Sequence, residues 1–179
     1  MVSMPLIAQL AEPLSGTQPI RRPDLLVEAL PQRSVFDLRS DKLHAAQPLP
    51  DQPGTCGELG AWRALRLRPD GWLLIAATCE HPAPSFATAP QDALRLTDLS
   101  HGYACICLQG TAMRKLLALG TPLDLRPDRF GPNQCARTWC AGFTLILDHR
   151  ADAIEVYVDT SCAVAFWAWL TDAAAGLVP

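Results

Sequence analysis

The alternation of apolar and polar residues along the chain predicts mainly short strands. Residues 103–108 are apolar and carry no charge, which is typical of a buried strand. Residues 34–39 alternate apolar and polar side chains, as a half-buried strand does. Further strands are predicted at 135–139, 143–148 and 154–158.

Two pairs of strands are predicted to form hairpins. Pro69-Asp70-Gly71 is strong turn chemistry and lies between the predicted strands 62–68 and 72–77. A second turn, at 150–153, joins the last two predicted strands. Neighbouring strands joined by short turns pair antiparallel.

A helix is predicted directly after the strand at 103–108. Gly110 ends the strand, and Thr111 is the predicted N-cap because its hydroxyl can accept an unpaired backbone N–H. Apolar side chains then recur at helical spacing until Gly120, and Pro122 prevents the helix from continuing.

The other helical patterns are a final helix and two weaker segments. Apolar residues from 164 to 170 predict the final helix, capped by Thr160 or Ser161 and followed by Gly176. A weak helix is predicted over residues 41–46. Residues 91–96 form either a short helix or the lead-in to the next strand.

The order of these elements predicts the fold class. Strand, weak helix, hairpin, short helix and strand over 34–108 is the order of a split β-α-β unit, and a second set of helix, hairpin and helix follows. We therefore predict an α+β fold with a largely antiparallel sheet. A single domain is expected over 23–179. Residues 1–22, with three prolines, are expected to be an extended arm, either free or wrapped on a partner subunit.

Composition excludes several classes of function. The chain has 179 residues, 49% hydrophobic and 18% charged, enough for a substantial core. A net charge of −3 and the lack of a Lys/Arg run give no reason to expect nucleic acid. The longest apolar run, 163–170, is too short to cross a bilayer, and no basic region precedes the apolar start, so we expect no membrane and no signal peptide. We expect a cytoplasmic protein with seven reduced cysteines.

Two groups of metal-type side chains were weighed as sites. Cys105 and Cys107 share one face of a strand, but the sequence has no Cys-x-x-Cys, so packing is the preferred interpretation. Cys79-Glu80-His81 lies in a Pro-rich stretch, where adjacent side chains point in different directions and rarely bind one ion. We predict no metal site.

One group resembles a nucleophile, base and acid set. Asp98, Ser100 and His101 lie within four residues, so they cannot all converge on one substrate atom. Asp98 and Ser100 are expected to bind backbone groups of the turn instead. The sequence also has no Gly-x-Gly-x-x-Gly and no Walker-type loop, so we predict no catalytic residue and no nucleotide site.

The chain resembles a known family in several separate stretches. Residues 98–101, the strand after them, Gly110 and the following Leu-Leu helix resemble the folate-binding aminomethyltransferase (T-protein) superfamily. More specific stretches resemble the gamma subunit of heterotetrameric sarcosine oxidase: Gly120–Pro127, Phe130, Cys135–Thr138, Leu67–Ile75, Val156–Val158 and Phe166–Leu170. Together the pieces cover roughly residues 25–175.

The resemblance implies a T-protein folate-binding-domain-like fold with split β-α-β (ferredoxin-like) units. It implies a non-catalytic assembly subunit of a complex that oxidatively demethylates sarcosine, or of a related N-methyl amino acid oxidase or dehydrogenase. The partners would be the alpha, beta and delta subunits. FAD, FMN, NAD and tetrahydrofolate would be held by those other subunits, and none by this chain.

The resemblance also bears on folate. Relatives hold the pterin through an acidic residue on the strand before the last hairpin turn, and aligning Leu145-Ile146-Leu147 with that strand places Phe143 and Thr144 at the acidic positions. Neither side chain can pair with the donor edge of the pterin. Asp148 is the nearest carboxylate and lies several residues away, so we expect no folate site.

The final helix carries two tryptophans that point in different directions. Trp167 and Trp169 are two residues apart, so they project about 200° from each other. They either complete the core or contact a partner subunit. Two other functions remain open at this point: a free-standing folate-dependent protein of the same superfamily, and a small metal- or redox-active protein that uses the cysteines.

Overall fold

The computed structural model describes residues 12–40, 49–79, 82–84, 86 and 94–178. Within these ranges the strands are β1 (Ile20–Arg22), β2 (Leu25–Leu30), β3 (Val35–Arg39), β4 (Cys56–Leu59), β5 (Trp62–Arg68), β6 (Gly71–Ala76), β7 (Arg95–Asp98), β8 (Tyr103–Gln109), β9 (Cys135–Cys140), β10 (Phe143–His149) and β11 (Ala153–Asp159). The helices are α1 (Met113–Ala118) and α2 (Ala163–Gly176), and a 3₁₀ turn, Thr160–Cys162, leads into α2. Neither α-helix in the described ranges has the length and apolarity needed to span a bilayer.

The strands form two sheets. Sheet A has the order β1-β2-β8-β11-β10-β9, and sheet B has the order β4-β5-β6-β3-β7. All neighbouring strands pair antiparallel. The predicted α+β class with mostly antiparallel sheet is confirmed, and both predicted hairpins form, as β5–β6 and β10–β11.

Side-chain alternation along the strands divides the interior into layers. One face of sheet A packs on both helices, and that core includes Ile106, Leu116, Leu145, Val156 and Phe166. The other face of sheet A packs on sheet B through Val35, Leu65, Ile75, Ile146 and Tyr157. The far face of sheet B carries a third apolar group that includes Leu38, Trp62 and Trp72. Each fully buried Val, Leu, Ile or Phe side chain contributes roughly 1.5–3 kcal/mol to the stability of the fold.

Long-range pairing differs in detail from the expected units. β3 and β8, which were placed in one split β-α-β unit, lie in different sheets: β3 pairs with β6 and β7, and β8 pairs with β2 and β11. Residues 95–98 form β7, so the end of the segment 91–96 is a strand. Residues 20–22 of the predicted arm form β1. The predicted weak helix at 41–46 lies outside the described residues.

The caps of both helices differ from the prediction. No side chain caps α1, whose N-cap position is Ala112. The Ala112 N–H donates to the carbonyl of Asp24 at 3.1 Å, so the backbone of the β1–β2 turn takes the role predicted for Thr111. This close approach requires Gly110, because a Cβ there would lie 2.3 Å from the Asp24 oxygen.

α2 has Cys162 at its N-cap position and no side-chain cap. The 3₁₀ turn that leads into it is capped by Asp159, which precedes both predicted residues. Its carboxylate accepts the Ser161 N–H at 2.9 Å, a stronger acceptor than a hydroxyl would be. Gly176 is the last residue of α2 and does not follow it. The helix end is instead held by Arg22, which donates to the carbonyls of Ala174 (2.7 Å) and Leu177 (2.9 Å).

Candidate functional site

A group of charged side chains lies buried between the two sheets, with Glu155 of β11 at its centre. Arg33 donates two hydrogen bonds to the Glu155 carboxylate, at 2.8 and 3.0 Å, and Arg150 donates a third at 2.9 Å. The Tyr157 hydroxyl donates a fourth at 2.7 Å. Burial alone would raise the pKa of Glu155, but the charge of Arg33, the hydrogen bonds and Arg150 outweigh it and lower the pKa.

Asp148 of β10 continues this charged group toward sheet B. It is fully buried, and Arg63 of β5 donates to it from Nη2 at 2.9 Å and from Nε at 3.2 Å. The Arg150 Nε lies 2.8 Å from the second Asp148 oxygen. Arg63 also donates to Glu58 of the neighbouring strand β4 at 2.9 Å, while its pair with Asp148 connects sheet B to sheet A.

The charged side chains of this group pair with one another and so hold parts of the protein together. A cleft of about 200 Å³ borders it and is lined by Arg33, Arg63, Arg150, Glu58 and Glu155. Each of these arginines forms an ion pair with a carboxylate of the same group. With charges already matched, the group favours one alignment of the sheets over the binding of a charged ligand.

Sequence reasoning did not identify this group, although its signal was present. Asp148 and Glu155 are charged residues within mainly apolar strands, and Arg63 is one of three arginines in β5. Such residues are expected to point outward unless they have buried partners. The partners come from distant strands, so the sequence alone does not show them.

Asp98, Ser100 and His101, which the sequence predicts not to form a nucleophile, base and acid set, do not converge. Asp98 accepts hydrogen bonds from the N–H and hydroxyl of Ser100, at 2.9 and 2.6 Å. The Ser100 hydroxyl oxygen in turn accepts the Val35 N–H at 3.0 Å. His101 turns away, with Nδ1 2.7 Å from the side-chain nitrogen of Gln32. These contacts hold the turn before β8, as expected for Asp98 and Ser100.

The paired cysteines of β8 lie in the core. Cys105 and Cys107 are both buried, and burial raises their pKa values to about 12 and about 11. Cys79 is exposed, while Glu80 and His81 lie outside the described residues. In the described ranges no three His, Cys, Asp or Glu residues are grouped as metal ligands would be.

Phe143 and Thr144, the positions aligned with the pterin-binding acid, point to opposite faces of sheet A. Phe143 packs against Phe166 of α2, with ring centroids 5.5 Å apart. Thr144 is exposed on the other face, opposite Trp139 of β9 in the strand register. Asp148 lies on the same face as Thr144 but is fully buried and held by Arg63. The two side chains therefore do not line one pocket.

The tryptophans of α2 are half-buried and pack on the helix-side core. Trp169 stacks on Phe166, with centroids 5.6 Å apart, and its ring covers Gly120 so closely that a Cβ there would lie 2.8 Å from it. Of the tryptophan, tyrosine and phenylalanine side chains in the described ranges, Trp139 is the exposed one, at 63%, and sequence reasoning did not single it out. Its signal was the edge-strand pattern Arg137-x-Trp139, which puts two large side chains on one face.

The fold and these contacts define a class: an α+β domain with two stacked antiparallel sheets and paired charges in its interior. The structure is similar to the glycine cleavage system aminomethyltransferase T of Bartonella henselae (TM-score 0.60, 16% identity, 83% of this chain and 46% of that chain). That likeness concerns the fold alone.

The family follows from two further comparisons. Residues 56–176 match the model of the sarcosine oxidase, gamma subunit family, and the chain belongs to that family. The structure is also similar to a chain of the heterotetrameric sarcosine oxidase from Corynebacterium sp. U-96, determined in complex with pyrrole 2-carboxylate (TM-score 0.72, 25% identity, 84% of each chain). Comparison with curated proteins gave no match.

Proposed function

We propose that this gamma subunit acts in the assembly of a heterotetrameric sarcosine oxidase and carries no catalytic residue itself. The observation that carries the proposal is the family match over residues 56–176. The contacts of the described residues agree with it, because Glu155, Asp148 and their arginines are used within the protein. The complex would oxidatively demethylate sarcosine or a related N-methyl amino acid in the cytoplasm.

The finer expectations belong to the same proposal. The partners would be the alpha, beta and delta subunits, and FAD, FMN, NAD and tetrahydrofolate would be held by those subunits. A free-standing folate-binding protein is the alternative. It is not favoured, because Phe143 and Thr144 lie on opposite faces of β10 and because the family match is to the oxidase subunit.

The test is reconstitution with the other subunits from the same source. We expect the chain to co-elute in a flavin-containing complex when it is expressed with alpha, beta and delta, and the isolated chain to show no change in melting temperature with folinic acid. An isolated chain that is monodisperse, does not enter the complex and is stabilised by folinic acid would contradict the proposal and favour the alternative.

A further inference from the structure

Among the described residues, sheet B does not cover all of the inner face of sheet A. The segment before β4 meets β9 at its first residue, where the Cys135 N–H donates to the Gly54 carbonyl at 2.9 Å. Farther along the strand, Arg137 and Trp139 are exposed on this face. We call the exposed residues Arg137, Trp139 and Thr144, together with the half-buried Tyr103, the Trp139 shelf.

The shelf has the composition of an energetically important contact surface. Tryptophan, tyrosine and arginine are the residues that most often anchor protein interfaces. Trp139 is 63% exposed, and the other large apolar side chains exposed in the described ranges, Leu119, Val164 and Val178, are aliphatic. An exposed indole on a sheet face contributes apolar area to binding that folding does not use.

Arg137 gives the shelf an unmatched positive charge. Its guanidinium lies 3.4 Å from the Tyr103 hydroxyl, and among the described residues it forms no ion pair. On the same face, Asp148 of the adjacent strand is already paired with Arg63 and Arg150, and Asp159 accepts from the Ser161 N–H and hydroxyl. A partner carboxylate would complete the charge-assisted pair that the buried arginines already have.

The backbone under Trp139 is held in place. The next residue, Cys140, is fully buried, and Ala141 and Gly142 form the turn with φ of 52° and 89°. The Ala141 N–H donates to the Gly120 carbonyl at 2.9 Å, which ties the turn to the end of α1. A preorganised anchor loses little conformational entropy on binding.

A cavity adjoins the shelf at Tyr103. It has a volume of about 90 Å³, and its lining includes Leu30, Gln32, His101 and Tyr103. Glu12 at its border accepts the Gln32 N–H at 3.0 Å. The cavity is large enough for a small side chain inserted beside Tyr103.

We infer that the Trp139 shelf docks an acidic segment of one of the larger subunits of the oxidase. The segment would place a carboxylate against Arg137, an apolar side chain on Trp139 and a small side chain in the cavity. This inference rests on the proposed function, because it names the surface by which the chain enters the complex.

The experiment uses the complete complex, co-expressed with a tagged larger subunit. Trp139→Ala and Arg137→Glu are compared with Val164→Ala and Arg129→Glu, which change exposed residues away from the shelf by the same kind of substitution. We expect each shelf variant to weaken association by about thirtyfold or more, as loss of an interface anchor does. The control variants should associate as the wild type does. Circular dichroism of each isolated variant checks that it folds.

A photo-crosslinking residue at position 139 identifies the occupant. We expect a crosslink to a larger-subunit peptide with Asp or Glu within three residues of the crosslinked position, and none from the same residue placed at position 164. Normal association of both shelf variants, or crosslinks from position 164 only, would overturn the docking surface while leaving the assembly function intact. A crosslink from position 139 to a peptide without acidic residues would overturn the predicted chemistry. If the wild type itself does not associate, the proposed function fails first.

Discussion

Ala141 adopts a left-handed backbone conformation that alanine rarely takes, with φ of 52°. It is the first central residue of the β9–β10 turn, and Gly142, with φ of 89°, is the second. Positive φ at both positions is the geometry of a type I′ hairpin turn, in which Asn-Gly is the preferred pair. The strain is tolerated because the Ala141 N–H is bound to the Gly120 carbonyl.

We therefore expect Ala141→Asn to stabilise the protein. Asparagine accepts this conformation at lower cost and, unlike glycine, does not greatly increase the freedom of the unfolded chain. The gain should be about 0.5–1 kcal/mol in the free energy of unfolding, measured by urea denaturation. An unchanged or lower midpoint would show that the turn is not strained at this position.

Glu155 makes stability depend on pH. Its pKa is lowered in the folded protein from the ordinary value of 4.5. A carboxylate with a lowered folded-state pKa contributes its full stabilisation above the unfolded value, and that contribution is lost as the pH falls through the folded value. The ion pairs with Arg33 and Arg150 are therefore expected to weaken below about pH 4.5.

Glu155→Gln tests this dependence. At pH 7 the substitution should cost about 3–5 kcal/mol, because it leaves Arg33 buried without its counter-charge. The difference from the wild type should shrink below pH 4.5. Unfolding of both proteins by urea from pH 7 to 3.5 measures it, with Asp152→Asn, an exposed acid in the same hairpin, as control. A difference that is constant across this range would contradict the ion-pair origin.

At the scale of elements, the C-terminal end of α2 is bound by Arg22, a residue that is distant from it in the sequence. Arg22 of β1 donates to the carbonyl of Leu177 and to that of Ala174, which otherwise accepts only a long 3.3 Å bond from the Leu177 N–H. A positive charge at this end also interacts favourably with the helix dipole. The short edge strand β1 therefore stabilises the last helix as well as sheet A.

Arg22→Met should remove this support while keeping the apolar stem. We expect a loss of about 1–2 kcal/mol in the free energy of unfolding and faster hydrogen exchange in the last turn of α2. Arg21→Met on the same strand is the matched control, because Arg21 is exposed. Equal effects of the two substitutions would mean that the contacts to the helix end are not stabilising.

The comparison with the sequence separates local from long-range information. β10 and β11 were predictable because each is an apolar run ended by turn residues, and the β5–β6 hairpin because Pro69-Asp70-Gly71 fixes its turn. The division into two sheets was not, because the pairing of β3 with β7 and of β8 with β2 depends on contacts between distant strands. The sequence did not identify Asp159 as the cap because Thr160, whose hydroxyl can also cap a helix, directly follows it.

The same limit applies to the candidate sites. The pattern could exclude a convergent set at Asp98, Ser100 and His101, since their spacing already prevents it. It could not show that Asp148 meets Arg63, because that pair joins β10 of sheet A to β5 of sheet B. Nor could it show that Trp139 lies beyond the edge of sheet B, where an inward-facing position becomes an exposed one.

At the scale of the whole molecule, stacking of the two sheets and the helices encloses most of the thiols. Cys105, Cys107, Cys135 and Cys140 are buried, whereas Cys79 is exposed. Burial also raises the pKa of Cys140, to about 11. Because the thiolate is the reactive form, the raised pKa and the burial both lower the reactivity of these cysteines.

The rate of thiol labelling should therefore show whether the packed sheets and helices stay closed. It also tests the alternative of a small redox-active protein that uses the cysteines. With iodoacetamide at pH 8, we expect Cys79 to be labelled first and the buried cysteines only on the time scale of unfolding, as followed by peptide mass spectrometry. Glu155→Gln should accelerate labelling of Cys105 and Cys107 beside it, but not of Cys79. Rapid labelling of Cys105 or Cys107 in the folded wild type would mean that the sheets open readily, and a chemical role for these thiols would then return as a serious hypothesis.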